Sequence, residues 1–186
     1  MKKSLKHATV IGALLAAAAF STQAAQDTNG TSWIDKGFPF DLEMSSTEQA
    51  QQWALCSATL ETFSDQLSRY TDQTATAELI GQTANGAAVA IIGTYVMGFA
   101  RDMENVNADN FSDAFKKAVE YGQFASTEFV DKAKVFVSAQ REGAASDQAW
   151  MENLTASAMT CMQPPVLELQ EMLVNTVRET VMGVPK

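Results

Sequence analysis

The chain has 186 residues, 22 of them acidic and 13 basic, with a formal charge of −9 and one histidine, His7. That balance argues against nucleic acid or an anionic lipid surface as a partner, since both attract basic patches. A 46% hydrophobic share in a chain of this length is enough to bury a real core.

Residues 1–24 read as a cleavable signal peptide. Lys2, Lys3 and Lys6 form a positive start, Ala8 to Phe20 an apolar stretch too short to span a bilayer, and Thr22-Gln23-Ala24 a small-residue cleavage site. The expected compartment is the periplasm, with secretion as the alternative. Cleavage would remove Lys2, Lys3 and Lys6 and no acid, taking the charge from −9 to −12. It would also remove His7. An exported chain without histidine excludes Ser-His-Asp and Cys-His catalysis, His-ligated haem and His-containing zinc sites.

Residues 25–45 read as an irregular arm broken by Gly30, Gly37 and Pro39. Trp33, Ile34, Phe38, Phe40 and Leu42 are too apolar to sit in water, so the arm is expected to strap across the rest. An exposed arm held for a partner is the alternative.

Residues 46–186 read as one helical domain. Ser45 and Glu48 have capping-box spacing, and Trp53, Cys56, Leu60, Phe63 and Leu67 then make one apolar seam. This first helix is expected to reach about Tyr70, with Asp65 and Arg69 able to pair on its outer face.

The second helix is expected to end near Met103. It contains Leu79 to Ala100, a stretch without one charged residue, apolar on every face from Ala87 onward. Such a helix is buried all round, at the centre of a bundle. Gly86, Ala90, Thr94 and Gly98 recur every four residues, a small-residue row that admits close packing of a neighbouring helix. The length also permits a membrane span. A single crossing would separate Cys56 from Cys161, so a helix enclosed by protein is preferred.

Asp102 to Asp109 form an acidic connection with Asn105 and Asn107. Ca²⁺ is one reading, but the glycine at the sharp turn of an EF-hand loop is missing. A solvated loop without metal is preferred.

Asn110 and Asp113 open a third helix whose seam is Phe111, Phe115, Ala118, Gly122, Ala125, Phe129, Ala133 and Phe136, read as core. Gly122 is a candidate bend, and Gly143 a left-handed cap. Glu128 and Lys132 form an i,i+4 pair in the favourable order. The fourth helix starts at Ser146 or Asp147 and carries Trp150, Leu154, Ser157 and Cys161 on one face. Pro164-Pro165 ends it and opens a fifth, with a stripe of Val166, Leu169, Leu173 and Val177 and a cap at Gly183.

The fold class is therefore all-α: a single bundle of about five helices around a buried central helix. Cys56 and Cys161, the only cysteines, both lie on apolar seams, and an even count in an oxidising compartment predicts one disulfide. No C-x-x-C, G-x-S-x-G, S-x-x-K, P-loop or G-x-G-x-x-G occurs, and no catalytic residue or cofactor is assigned.

Cys56 on a helix, Tyr95-x-x-Gly98-x-x-x-Asp102, and a late Cys161 followed by prolines resemble periplasmic immunity proteins of type VI secretion systems. Those are small exported helical domains with disulfides that neutralise a toxin. The resemblance implies a protein partner, and no contact residue is carried over from it. The expected function is a non-enzymatic binding protein of immunity or inhibitor type, its partner a protein of basic character. The alternatives are a carrier of a small apolar ligand, a periplasmic chaperone or stress protein, and a hydrolase with paired acids.

Overall fold

The computed structural model describes residues 30–35, 37–39, 44–101 and 111–183, with only the backbone of Arg101. The expected signal peptide, Phe40 and Leu42 of the arm, and the acidic connection 102–109 lie outside the described residues. Thr31–Lys186 form one compact unit, which holds all the helices of the bundle.

Among the described residues there are five α-helices, one 3₁₀ turn and no strand: α1 (Ser46–Leu67), the turn Thr71–Gln73, α2 (Thr74–Arg101), α3 (Phe111–Gly143), α4 (Asp147–Cys161) and α5 (Pro164–Thr180). The bundle is all-α, as the spacing predicts.

The capping box opens α1. The Glu48 amide donates to Ser45 Oγ (3.2 Å), and the Ser45 amide donates back to the Glu48 carboxylate (2.8 Å). Two otherwise orphan donors are satisfied. These bonds from Ser45 favour the ionised Glu48 and hold its pKa below the usual value. The helix ends at Leu67 rather than Tyr70. Arg69 therefore falls beyond the last turn and loses the i,i+4 geometry that would bring it to Asp65.

The centre is a pair of helices. α1 packs against α2, α3 and α4, and α2 packs against α1, α3 and α5. From Gly86 to Phe99 no residue of α2 is exposed. In α1 the buried set is wider than the predicted seam: Ser57 (4% exposed) and Thr59 (0%) are buried with Trp53, Cys56 and Leu60.

The arm reaches the buried Thr59. The Trp33 indole N–H donates to Thr59 Oγ1 (2.9 Å), and its backbone amide to Ser157 Oγ (3.1 Å). The Thr31 amide donates to Asn153 Oδ1 (2.7 Å), and the Asp35 amide to the Gln52 side chain (3.1 Å). Ile34 and Phe38 are buried, with Phe38 edge-on to Trp53 at 4.8 Å. Residues 31–35 and 37–39 are thus tied to α1 and α4. Cys56 and Cys161 are bonded, with Cα atoms 5.5 Å apart and each 1% exposed. Trp150, Leu154, Ser157 and Cys161 form the buried face of α4.

Two expectations for α3 are corrected. Its buried residues are Gly122, Ala125, Ala133 and Val137, while Phe111 and Phe136 on the predicted core seam are exposed. Phe111 lies against Phe99 of α2 and Phe136 edge-on to Trp33 of the arm, each with one side left in water. Gly122 is a close contact with α2. A Cβ there would lie 3.0 Å from Ile92 Cα, so a side chain at this position would press on α2. The Ser126 hydroxyl donates to the Ala88 carbonyl (2.9 Å) on the same face. Gly143 is the last helical residue and not a left-handed cap. Among the described glycines only Gly183, after α5, has positive φ (64°).

Candidate functional site

The four residues of the predicted small-residue row do not share one neighbour. Ala90 and Thr94 are fully enclosed (0% and 2% exposed), and the Thr94 hydroxyl donates back to the Ala90 carbonyl (2.9 Å). Gly86 lies under Gln170 of α5, whose amide donates to the Thr83 carbonyl (3.2 Å). Gly98 instead lies under Ser46 at the start of α1. The tightest backbone approach is at Gly93, off the predicted row, where a Cβ would be 2.8 Å from the Leu173 carbonyl oxygen of α5. Gly86 and Gly93 are seven residues apart, two helical turns, and that spacing was the available signal.

What the structure presents to the outside is aromatic. At the C-terminal end of α2, Phe99 meets Phe111 and Phe115 of α3 with ring centroids 5.7 and 5.9 Å apart. Phe111 and Phe115 stack at 6.2 Å. One turn back along α2, Tyr95 is edge-on to Tyr121 at 4.9 Å, and Tyr121 is in contact with Phe124 at 6.5 Å. Tyr95 and Phe99 are four apart on one helix face, so the two ring groups adjoin. Phe111, Tyr121 and Phe124 are 41%, 51% and 61% exposed.

The charges along this stretch of α3 are mixed. Lys116 pairs with Glu120 at 3.7 Å, and Asp113 and Lys117 are exposed nearby. Partial burial is the main cause that raises the pKa of Tyr95 above its ordinary value. A hydrogen bond between its hydroxyl and that of Thr47 (3.4 Å) acts in the opposite direction, since the Thr47 O–H can donate to the phenolate.

Two concave sites lie elsewhere. One, about 220 Å³, is an apolar groove between α1 and α3 lined by Leu55, Phe129, Ala133 and Phe136, with Gln51 and Lys132. Small-ligand pockets usually measure roughly 300–1,000 Å³, so this groove is small for a carrier. The other, about 270 Å³, lies among α1, α3 and α4 beside Trp150.

Among the described residues no three His, Cys, Asp or Glu side chains are grouped as a metal site. Comparison of the chain with protein-family models, with curated proteins and with solved structures finds no match to any of them.

Proposed function

We propose that this is an exported, non-enzymatic binding protein of immunity or inhibitor type that engages a basic protein partner through the aromatic face of α2 and α3. The observation that carries the reading is the exposure of Phe111, Tyr121 and Phe124, which belong to two adjoining groups of ring contacts. Rings concentrate binding energy at interface centres because they bury large areas at little entropic cost. An exposed apolar patch of this kind is uncommon on a surface that has only water to face. The formal charge of −9 steers positively charged partners toward the molecule at long range, and the rings then supply short-range affinity.

The test is a photo-crosslinking amino acid placed at Tyr121 in living cells, with Glu168 on α5 as the control position. One dominant basic protein crosslinked at 121 and not at 168 supports the reading. Phe124→Ala should then weaken the purified complex on the order of tenfold, and added salt should slow association. Equal crosslinking at both positions, or capture at 121 of many unrelated proteins, would overturn it; the second result would favour a chaperone.

A further inference from the structure

We propose that α3 is also a self-association surface, pairing antiparallel with α3 of a second copy of this chain about a two-fold axis between Gly122 and Gln123. The helix carries two seams. One, through Gly122, Ala125, Ala133 and Val137, is buried in the bundle. The other lies on the opposite side: Lys117, Tyr121, Phe124, Glu128, Asp131 and Val135 recur at intervals of four, three, four, three and four residues. That is the spacing of a helix that packs lengthwise against another helix. Tyr121, Phe124 and Val135 on this outer seam are 51%, 61% and 72% exposed.

The order of charges along the outer seam selects the occupant. Antiparallel copies centred between Gly122 and Gln123 set Lys117 opposite Glu128, Tyr121 opposite Phe124 and Asp113 opposite Lys132, and the two-fold axis repeats each pair. Each end of the interface then gathers Asp113 and Lys117 of one copy with Glu128 and Lys132 of the other, two charges of each sign. A parallel pair would instead set Lys117, Glu128 and Asp131 each against itself, and like charges in contact disfavour it. The rings at the centre supply affinity and the charges at the ends fix register. Glu128 already meets Lys132 of its own helix, but that contact is an exposed, weak one that a second cation can join. The pairing covers Tyr121 and Phe124, so it goes beyond the function proposed above: it closes that face when no other partner is present, and it does not rest on such a partner existing.

The test is sedimentation equilibrium of the purified, oxidised chain alone, from about 1 μM to 1 mM, the range of weak interface affinities. It is run at about 0.15 M salt, where repulsion from the formal charge of −9 is screened beyond roughly 8 Å while contacts within the seam are kept. A monomer–dimer equilibrium is expected. Lys117→Glu and Glu128→Lys should each weaken it on the order of tenfold. The double variant, which exchanges the two charges, should restore it, and Glu168→Lys on α5 should leave it unchanged. Circular dichroism checks that each variant is folded. The proposal is overturned by a parent that stays monomeric, by single reversals without effect, or by a double variant no better than the singles. No second protein is present, so these failures leave the function proposed above standing, and loss of a crosslinked basic partner in cells would leave the self-pairing standing.

Discussion

Gly93 of α2 and Leu173 of α5 stand backbone against side chain and backbone: a methyl group on Gly93 would lie 2.8 Å from both the Cβ and the carbonyl oxygen of Leu173. Neither atom is the free end of a flexible chain. Gly93→Ala should therefore push α5 away from the central pair and destabilise the fold by about 1–3 kcal/mol, the usual range for overpacking. Gly81→Ala is the control. Its new Cβ meets only Ser64 Oγ at 3.4 Å, and relief of glycine's helix penalty should stabilise by up to about 1 kcal/mol. Urea unfolding of the two variants checks the signs, and equal effects would remove the close-approach account of α5 docking.

The disulfide closes a loop of 105 residues, and the arm lies over the helices it joins. In the chain-entropy model a loop of this size is worth on the order of 4.7 kcal/mol. The double variant Cys56→Ala, Cys161→Ala should lose several kcal/mol when unfolded against the oxidised parent. Trp33→Phe keeps most of the ring but deletes the bond to Thr59 Oγ1, and should cost about 1 kcal/mol. Thr59 is fully buried, so a loss well under that figure would mean that its hydroxyl finds another partner.

The helices were legible because they depend on short-range spacing, and the bridge because the only two cysteines each lie on an apolar seam. Trp150, Leu154, Ser157 and Cys161 mark the buried face of α4, and Ser45 with Glu48 marks the start of α1. The exposed rings of α3 were not legible, because a seam of Phe and Ala at heptad spacing shows which side is apolar and not how near the neighbour comes. Gly122 meets Ile92 of α2 at close range, whereas Phe136 lies toward α1, edge-on to Trp33 at 6.3 Å, and Phe111 rests on Phe99 at the end of α2 with its other side in water. Thr59 lies outside the predicted seam of α1, and the group that bonds it is Trp33, distant in sequence and outside any helical period. Gly93 is invisible to a four-residue period, which links Gly86, Ala90, Thr94 and Gly98, whereas α5 docks two turns apart at Gly86 and Gly93.

Among the described residues the segment Thr71–Ala100 is the one candidate for crossing a membrane by length and composition, with 39% of its most apolar window buried. Enclosure by α1, α3 and α5 predicts that alkaline carbonate releases the protein from membranes. It also predicts that the thiols of unreduced, denatured protein resist alkylation, since Cys56 and Cys161 precede and follow this helix and are bonded to each other. Retention in the carbonate pellet with both thiols reactive would instead describe a helix in lipid.

Tyr95 supplies a pH test of the same end of the bundle. Partial burial, the largest cause, raises its pKa above the ordinary value near 10, so the folded state prefers the neutral phenol. A raised folded-state pKa means that its contribution is complete below the unfolded value and is lost as pH rises through the folded one. Stability should accordingly fall in alkali, and Tyr95→Phe, which cannot ionise, should reduce that slope. The chain has three tyrosines, Tyr70, Tyr95 and Tyr121. In a tyrosinate absorbance titration of the folded protein, the phase that disappears in Tyr95→Phe should be the one displaced to higher pH. Loss of an ordinary phase would mean that the contact with Tyr121 leaves Tyr95 open to water, and the α2–α3 ring junction would then be looser than its 4.9 Å separation implies.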